Sequence, residues 1–115
     1  MAYKTFDIVV VPFPFTDISS SKRRPAIILS SPSTFNVGHS VMAMVTSARN
    51  EPWLLDIPIK DLKKAGLSNP SVIRMKFFTL DHRLIIKKVG TLSKDDQLAT
   101  KASVTKLLQE VLRDD

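Results

Sequence analysis

The sequence predicts a mainly β protein with one C-terminal α-helix (α+β), folded as a small, twisted antiparallel β-barrel. Short runs rich in Val and Ile recur along most of the chain, bounded by Pro, Gly, Asn or Ser, which is typical of strands joined by turns. A long helical periodicity occurs only near the C-terminus. The 115 residues suffice for one core, so we expect a single domain over residues 1–115.

The first half of the chain contains four predicted strands. Val and Ile suit a pleated surface, and each apolar run is too short for a stable helix. The runs place these strands at residues 7–12, 24–30, 41–46 and 54–57. The connection between the first two strands contains several serines and ends in Lys22, Arg23 and Arg24. We expect a loop held between two rigid strand ends, where functional residues are often placed.

The second half is predicted to contain two further strands. Residues 59–67 can form one or two helical turns that end at Gly66. Gly90 is expected to mark a bulge or a close backbone approach in the last strand. The pattern places strands at residues 71–78 and 87–92, with a turn at residues 80–84 between them.

A C-terminal helix is predicted to begin after Ser93, which is a suitable N-cap. Asp95 and Asp96 then lie in the first turn, where anions meet the positive end of the helix dipole. An apolar stripe at helical spacing follows, formed by Val104, Leu107, Leu108 and Val111. We expect this helix to pack on the barrel.

The charge of the chain is positive and unevenly distributed. The net charge is +6, from 17 Lys and Arg against 11 Asp and Glu. Residues 1–93 hold 13 cations and six anions, whereas the remainder is close to neutral, with four cations and five anions. A basic body of this kind favours a polyanionic partner, which can be nucleic acid, an acidic protein or an anionic membrane surface.

Several classes of function find no support in the sequence. The chain has no cysteine, which excludes disulfides and thiolate chemistry and fits a reducing compartment. The two histidines, His39 and His82, lie far apart and outside any metal-ligand spacing, and no phosphate-binding glycine motif occurs. The N-terminus does not resemble a signal peptide, and no apolar run is long enough to span a membrane. We therefore expect a cytoplasmic protein with no metal, no cofactor and no membrane contact.

Arg24 is the strongest candidate for an anion-binding residue. Pro25 follows it and biases its backbone towards the extended state, which places the side chain at a strand start. A guanidinium stays charged and can hold a phosphate through two parallel hydrogen bonds. Lys22 and Arg23 lie further out and suit a general attraction for phosphate. A charge run is also typical of a solvated loop, so the residues alone leave both interpretations open.

Two hydroxyl groups end the third predicted strand, at Thr46 and Ser47. If the second and third strands are neighbours, these groups can lie near Arg24 and hydrogen-bond a phosphoryl oxygen. A threonine at a strand end also commonly has a structural role. Asp81 is the remaining candidate acid, with turn capping as its alternative role.

Three aromatic residues have more than one possible role. Trp53, Phe13 and Phe15 can stack on nucleic-acid bases, but they can equally belong to the core or to a dimer interface. Phe13 and Phe15 lie beside prolines in the first loop, which favours partial exposure of at least one of them.

Five segments together resemble the PemK/MazF family of toxins. They are Asp-Ile-Val-Val-Val-Pro-Phe-Pro-Phe-Thr-Asp at 7–17, Arg-Pro-Ala-Ile-Ile-Leu-Ser at 24–30, Val-Thr-Ser at 45–47, Thr-Leu-Asp at 79–81 and Ile-Lys-Lys-Val-Gly-Thr-Leu-Ser at 86–93. The resemblance runs in order over nearly the whole chain. It departs from the family pattern at residues 16–21 and at residues 76–78, two segments that shape RNA contacts in relatives.

The resemblance implies a plasmid-maintenance-type, SH3-like barrel that works as a homodimer. Family members are mostly sequence-selective, metal-independent endoribonucleases that cleave single-stranded RNA and arrest growth. A cognate antitoxin, which we expect to present an acidic segment, neutralises them, and the toxin–antitoxin complex is expected to bind DNA. By resemblance, Arg24 and Thr46 are the catalytic residues, and the RNA 2′-hydroxyl attacks the adjacent phosphate. The residues expected to contact RNA are Lys22, Arg23, Ser47, Arg49, Lys76, Asp81 and Arg83.

The resemblance also implies a division of roles in the reaction. Arg24 would stabilise the charge that develops on the phosphorane, and Thr46 would hold a non-bridging oxygen or the leaving side. Two other functions stay open. The same barrel serves a toxin that poisons DNA gyrase, which binds a protein and cuts no RNA. An inactive RNA-binding module is the third possibility, and it would show salt-dependent RNA binding without products.

Overall fold

The fold is a six-stranded antiparallel sheet that curls into a half-barrel, with one C-terminal helix. The computed structural model describes residues 3–12 and 22–114. Its strands are β1 (Asp7–Pro12), β2 (Arg23–Ile28), β3 (His39–Ser47), β4 (Ile57–Pro58), β5 (Ser71–Asp81) and β6 (Lys87–Thr91), in the order β4-β5-β3-β2-β1-β6. Its helices are α1 (Leu62–Ala65), α2 (Lys94–Leu107) and a 3-10 helix (His82–Leu84). The predicted fold class is therefore confirmed.

Buried residues lie on both faces of the sheet, which explains the unbroken apolar runs at residues 8–11 of β1 and 26–28 of β2. Successive residues of a strand point to opposite faces. In β1, Ile8 therefore belongs to one core cluster, whereas Val9 and Val11 belong to the other. The first cluster also contains Ile27, Ala43, Val45 and Ile73, with residues of β4 and α1, and the second also contains Ala26, Ile28, Met42, Phe78 and Leu80.

Most of the predicted strands form, with changes at their ends. β1 has the predicted bounds, and β2 and β3 differ from the prediction by one or two residues at each end. β5 continues three residues further than predicted, because residues 79–81 pair with residues 39–41 of β3. The expected turn at residues 80–84 therefore contracts to the 3-10 helix, with Asp81 as its N-cap.

The fourth predicted strand, at residues 54–57, is wrong except at Ile57. A turn takes its place, in which Trp53 N donates to Asp56 Oδ2 over 2.9 Å and Asp56 N donates to the Trp53 carbonyl oxygen over 3.1 Å. The turn leaves Leu54 98 % exposed. Aspartate offers the backbone a local hydrogen bond that competes with strand pairing, and here that local bond replaces the strand.

The buried carboxylate of Asp96 connects α2 to the rest of the fold. Ser93 caps the helix as predicted, since its Oγ accepts a hydrogen bond from Asp96 N over 3.2 Å. Asp96 is only 1 % exposed, and its carboxylate accepts hydrogen bonds from Lys60 N at 3.1 Å and Asp61 N at 3.0 Å. Thr100, one turn later, is fully buried. These contacts join the first half of α2 to the connection between β4 and α1.

The apolar stripe of α2 is largely turned to solvent. The helix ends at Leu107, which is 42 % exposed, and Val111 beyond it is 80 % exposed. Val104 and Leu108 are half-buried. The predicted packing of the helix on the barrel is confirmed for its first half, where Asp96 and Thr100 are buried. The stripe contributes to it only through its half-buried residues, Val104 and Leu108.

Two glycines allow α1 and β6 to approach each other closely. Gly66 ends α1 in the left-handed conformation, with φ 76°, and a Cβ there would lie 2.1 Å from the Val89 carbonyl oxygen. A Cβ at Gly90 of β6 would lie 2.4 Å from the carbonyl carbon of Ala65. The register between β1 and β6 also shifts beside Gly90. The predicted helix end at Gly66 and both predicted roles of Gly90 are confirmed.

Replacing Gly90 by alanine should destabilise the fold more than the same change at Gly38. A Cβ at Gly90 meets backbone atoms, which cannot move aside by a rotamer change, so we expect a loss of about 3 kcal/mol in the free energy of unfolding. Gly38 has φ 75° but open space around it, so backbone strain of about 1 kcal/mol is the expected cost there. Urea unfolding of both variants measures the difference, and equal losses would contradict the close contact.

Candidate functional site

A cleft of about 600 Å³ opens at one end of the sheet, where β2 begins and β3 ends. Three segments line it. They are Lys22 to Pro25 at the start of β2, Val45 to Ser47 with Arg49 at the end of β3, and residues 67–71, which lead into β5. The lining therefore includes six of the nine residues that the sequence analysis singled out for chemistry or RNA contact.

Pro25 opens the cleft between two strands that are paired elsewhere. Proline has no backbone N–H and removes a hydrogen bond from a sheet. The pairing of β2 with β3 covers residues 26–28 against residues 42–44 and does not extend to Pro25. On its other side, β2 stays paired with β1 through its first residue. Arg24 is thus held on a paired strand at the edge of the gap.

Arg24 and Thr46 lie just beyond the point where the pairing of β2 with β3 ends. Ala26 lies opposite Met44 in the last pair, and each candidate residue lies two positions further along its strand. Residues two positions apart on a strand point to the same face of the sheet. Both residues line the cleft. The structure therefore brings together the two residues that the family resemblance implies to be catalytic.

Thr46 is held by an asparagine that the sequence analysis did not single out. Thr46 is 3 % exposed, and its Oγ1 accepts a hydrogen bond from Asn50 Nδ2 over 2.6 Å. A tight turn returns Asn50 to the strand, because Asn50 N donates to the Ser47 carbonyl oxygen over 3.1 Å and Arg49 N donates to Ser47 Oγ over 3.2 Å. The signal in the sequence is an asparagine in a short polar loop, since asparagine favours turns and bonds nearby groups.

The described lining of the cleft is positively charged. Lys22, Arg23 and Arg49 are exposed, Arg24 is half-buried, and the described lining contains no Asp, Glu or His. Such a lining attracts phosphate groups. It also lacks the commonest general acids and bases, so this part of the site supports catalysis by fixed charges and fixed hydrogen-bond donors.

Asp81 and Arg83 lie at the other end of β3 from the cleft. Asp81 pairs with His39, which is seven residues from Thr46 along β3, a span of about 23 Å. Hydrogen bonds from the Arg83 side chain, with Nη2 at 2.7 Å from Asp81 Oδ2, and from the Arg83 backbone lower the pKa of Asp81 to about 2. The fold of this chain does not bring these residues to the cleft, and their role in RNA binding stays a prediction.

Lys76 lies outside the described lining of the cleft. It belongs to a bulge of β5, since Phe77 pairs with Ala43 while Arg74 pairs with the next residue, Met44. The bulge leaves Lys76 half-buried in the middle of the sheet, away from the strand ends that form the cleft. Its role in RNA binding also stays a prediction.

A buried ion pair anchors the loop that follows β3. Arg74 Nε donates to Asp56 Oδ1 over 3.1 Å and Arg74 Nη2 to Asp56 Oδ2 over 2.8 Å, and the two side chains are 8 % and 9 % exposed. Arg74 Nη2 also donates to the Glu51 carbonyl oxygen over 2.7 Å. Burial raises the pKa of Asp56, but hydrogen bonds from Arg74 and the Trp53 backbone outweigh burial and hold that pKa below its ordinary value. The loop, with its part of the cleft, is thereby fixed to the sheet.

Trp53 packs on this ion pair at the surface. Its ring centroid lies 4.7 Å from Arg74 Cζ, and the residue is 47 % exposed. The exposure excludes a core role for Trp53 and leaves base stacking or an interface open. Phe13, Phe15 and the predicted loop at residues 16–21 lie outside the described residues.

In the part of the chain that the structure describes, no helix is long and apolar enough to cross a membrane. The same residues contain no group of three or more His, Cys, Asp or Glu side chains that could hold a metal ion.

Residues 4–108 match the family model of the PemK-like, MazF-like toxins of type II toxin–antitoxin systems. Solved structures share the fold. Mycobacterium tuberculosis toxin MazF-mt6 is 17 % identical, with a TM-score of 0.71 over 90 % of this chain and 96 % of that one. MazE-MazF from Deinococcus radiodurans is 20 % identical, with a TM-score of 0.72 over 93 % and 96 % of the two chains. An endoribonuclease from a mycobacterial species, in complex with its cognate antitoxin, is 12 % identical, with a TM-score of 0.73 over 94 % and 96 %. No curated protein matches the chain at a significant level.

Replacing Asp56 by asparagine should destabilise the protein at neutral pH. The change removes the counter-ion of the buried Arg74, and the loss of one partner of a buried ion pair costs about 3 kcal/mol. Because folding lowers the pKa of Asp56, its contribution is present above the ordinary value of 3.8 and is lost as the pH falls through the folded-state pKa. Urea unfolding at several pH values should show the largest gap between wild type and variant near neutrality and a smaller one in acid. A gap that does not change with pH would contradict this role.

Proposed function

We propose that this chain, which belongs to the family of PemK-like, MazF-like toxins of type II toxin–antitoxin systems, is an endoribonuclease that cleaves single-stranded RNA. The observation that supports the proposal is that Arg24 and Thr46 line the same positively charged cleft. A phosphodiester bound there would meet a guanidinium from one strand and a hydroxyl from the next. Both groups hydrogen-bond phosphoryl oxygens well.

The proposed reaction is an attack by the RNA 2′-hydroxyl on the adjacent phosphorus. A bond forms between O2′ and phosphorus, and the bond between phosphorus and O5′ breaks. The 2′-hydroxyl loses its proton and O5′ gains one, which gives a 2′,3′-cyclic phosphate and a 5′-hydroxyl end. The RNA supplies both reacting groups, so the protein has to supply orientation and charge.

Arg24 and Thr46 would stabilise the phosphorane that forms in this attack. The Arg24 guanidinium can direct two parallel N–H donors at two of its oxygens. Thr46 Oγ1 can donate to a non-bridging oxygen or to the leaving side. One preorganised donor of this kind typically contributes about 100-fold or more to the rate. Lys22, Arg23 and Arg49 would attract the flanking phosphates.

The positive cleft also suits an acidic antitoxin segment. Such a segment would neutralise the cleft cations and occupy the space that RNA needs. One structural neighbour, the mycobacterial endoribonuclease, is described in complex with its cognate antitoxin. We propose a partnership of the same kind for this chain, with a homodimeric, sequence-selective toxin in the cytoplasm that arrests growth when it is released. The complex with the antitoxin would bind DNA.

Replacing Arg24 by alanine should lower the cleavage rate of single-stranded RNA by about 100-fold or more, because the guanidinium that shares the cleft with Thr46 is lost. The fold should persist, since Arg24 is half-buried and lies at a strand start. Arg113→Ala, at an exposed position beyond α2, is the matched control and should cleave at the wild-type rate. Cleavage is followed on purified protein in EDTA, and sequencing of the new RNA ends gives the cleavage site.

Each alternative function has a distinct outcome in the same experiment. An unchanged rate in Arg24→Ala would remove Arg24 from the mechanism, and strict dependence on a metal ion would overturn the 2′-hydroxyl scheme. Inhibition of DNA gyrase in a topoisomerase assay, without RNA products, would identify a protein-binding toxin. Salt-dependent RNA binding without products would identify an inactive RNA-binding module.

A further inference from the structure

We propose that Asn50 is a positioning residue that commits the Thr46 hydroxyl to donate its hydrogen bond into the cleft. The inference rests on the proposed ribonuclease function and adds to it a residue that acts on the RNA only through Thr46. It explains how a threonine on a rigid strand can act as a donor of fixed direction.

The hydrogen bond between the two side chains has a defined polarity. Asn50 Nδ2 donates to Thr46 Oγ1 over 2.6 Å. A hydroxyl has one hydrogen to donate and two lone pairs that accept. Because the Asn50 amide occupies a lone pair of Oγ1, the hydrogen of Thr46 has to point elsewhere. Within residues 3–12 and 22–114, Asn50 is the one hydrogen-bond partner of Thr46 Oγ1, and Thr46 lines the cleft.

This polarity matches the chemistry of a phosphodiester. Phosphoryl oxygens only accept hydrogen bonds, so a threonine that donates is useful there and one that accepts is not. Arg24, which lines the same cleft, is also purely a donor. With Asn50 in place, both strands therefore present donors to the gap between them.

Three hydrogen bonds hold the backbone of the turn that carries Asn50 and of the residue that follows it. Asn50 N donates to the Ser47 carbonyl oxygen over 3.1 Å, and Ala48 N donates to the Pro70 carbonyl oxygen over 3.1 Å. On the far side of Asn50, the buried Arg74 holds the Glu51 carbonyl oxygen at 2.7 Å. The backbone on both sides of Asn50 is therefore held before RNA binds, which limits the positions that its amide can take beside Thr46 Oγ1 and favours a preorganised donor.

Two simpler roles for Asn50 predict different behaviour of an aspartate at this position. A residue that only favours the turn could be replaced by aspartate, which has the same shape and is equally common in turns. A residue that binds RNA directly would affect affinity when it is changed. A residue that sets the Thr46 donor cannot be replaced by aspartate, because a carboxylate accepts the Thr46 hydrogen and turns it away from the cleft.

The test compares Asn50→Ala and Asn50→Asp with wild type in steady-state cleavage of a fluorogenic RNA. Affinity is measured separately with the same oligonucleotide carrying a 2′-deoxy group at the cleavage site, which cannot react. We expect kcat to fall about tenfold in Asn50→Ala, because the donor loses its fixed direction. We expect a fall of about 100-fold in Asn50→Asp, because the donor is lost. The dissociation constant of Asn50→Ala should stay within about twofold of wild type, since no RNA contact is removed.

Ser68→Asp is the matched control for the negative charge of Asn50→Asp. Ser68 is exposed and lines the same cleft, and it makes no contact with Thr46 in the hydrogen bonds of the described residues. A charge that only repels RNA should raise the dissociation constant in both variants, and added salt should weaken that effect. Relative to wild type, kcat should fall further in Asn50→Asp than in Ser68→Asp. This difference in kcat should persist when salt is added.

The outcomes separate this inference from the proposed function. If the wild-type protein cuts no RNA, both the proposed ribonuclease function and the positioning role of Asn50 are contradicted. If the wild-type protein is active and Asn50→Asp has the same kcat as wild type, the positioning role is overturned while the proposed function stands. Asn50 would then be only a turn residue. Variants that lose affinity with an unchanged kcat would also overturn it, because Asn50 would then contact RNA directly. A kcat that falls in the order wild type, Asn50→Ala, Asn50→Asp supports it.

Discussion

The pairing of β2 with β3 is the constraint on which both the core and the cleft depend. Ile27 lies opposite Ala43 and Ala26 lies opposite Met44, so each of these pairs combines a large and a small residue. A slip by one residue would turn every side chain of β2 to the other face of the sheet, and would take Ile27 out of one core cluster and Ala26 and Ile28 out of the other. The same slip would separate the two candidate catalytic residues. The packing of the core therefore sets the geometry of the site.

The site forms where this pairing ends, on parts of the chain that cannot easily move. Pro25 interrupts the hydrogen bonds between the two strands, yet residues 23–27 of β2 stay paired with β1. On the opposite wall, the buried pair of Arg74 and Asp56 ties down the turn after β3. A mechanism that relies on fixed charges and donors needs such rigidity, because groups that reorient during the reaction lose most of their effect. The exposed lysines and arginines around the cleft add attraction for the RNA without having to be precise.

The elements that the sequence predicted well are those whose ends depend on one residue and its neighbours. The Ser93 cap, the end of α1 at Gly66 and the irregularity at Gly90 all follow from local backbone chemistry. The fourth predicted strand fails because Asp56 closes a local turn with Trp53, and the run of apolar residues does not reveal that competition. The bonds that the sequence did not reveal are those of carboxylates with distant partners. Asp56 bonds Arg74, 18 residues away, and Asp96 bonds the backbone 35 and 36 residues away.

The sequence by itself determined the chemistry available to this protein: a guanidinium placed before a proline, hydroxyls at a strand end, a basic body and the motifs of a toxin family. Only the tertiary structure decided which of these groups meet. It gathers six of the nine candidate residues in one cleft, leaves Asp81 and Arg83 at the far end of β3 and adds Asn50 to the site. The physical reason is that strand order and register result from the packing of side chains far apart in the chain. Residue types and their spacing reveal which elements form, whereas the fit between those elements selects their neighbours.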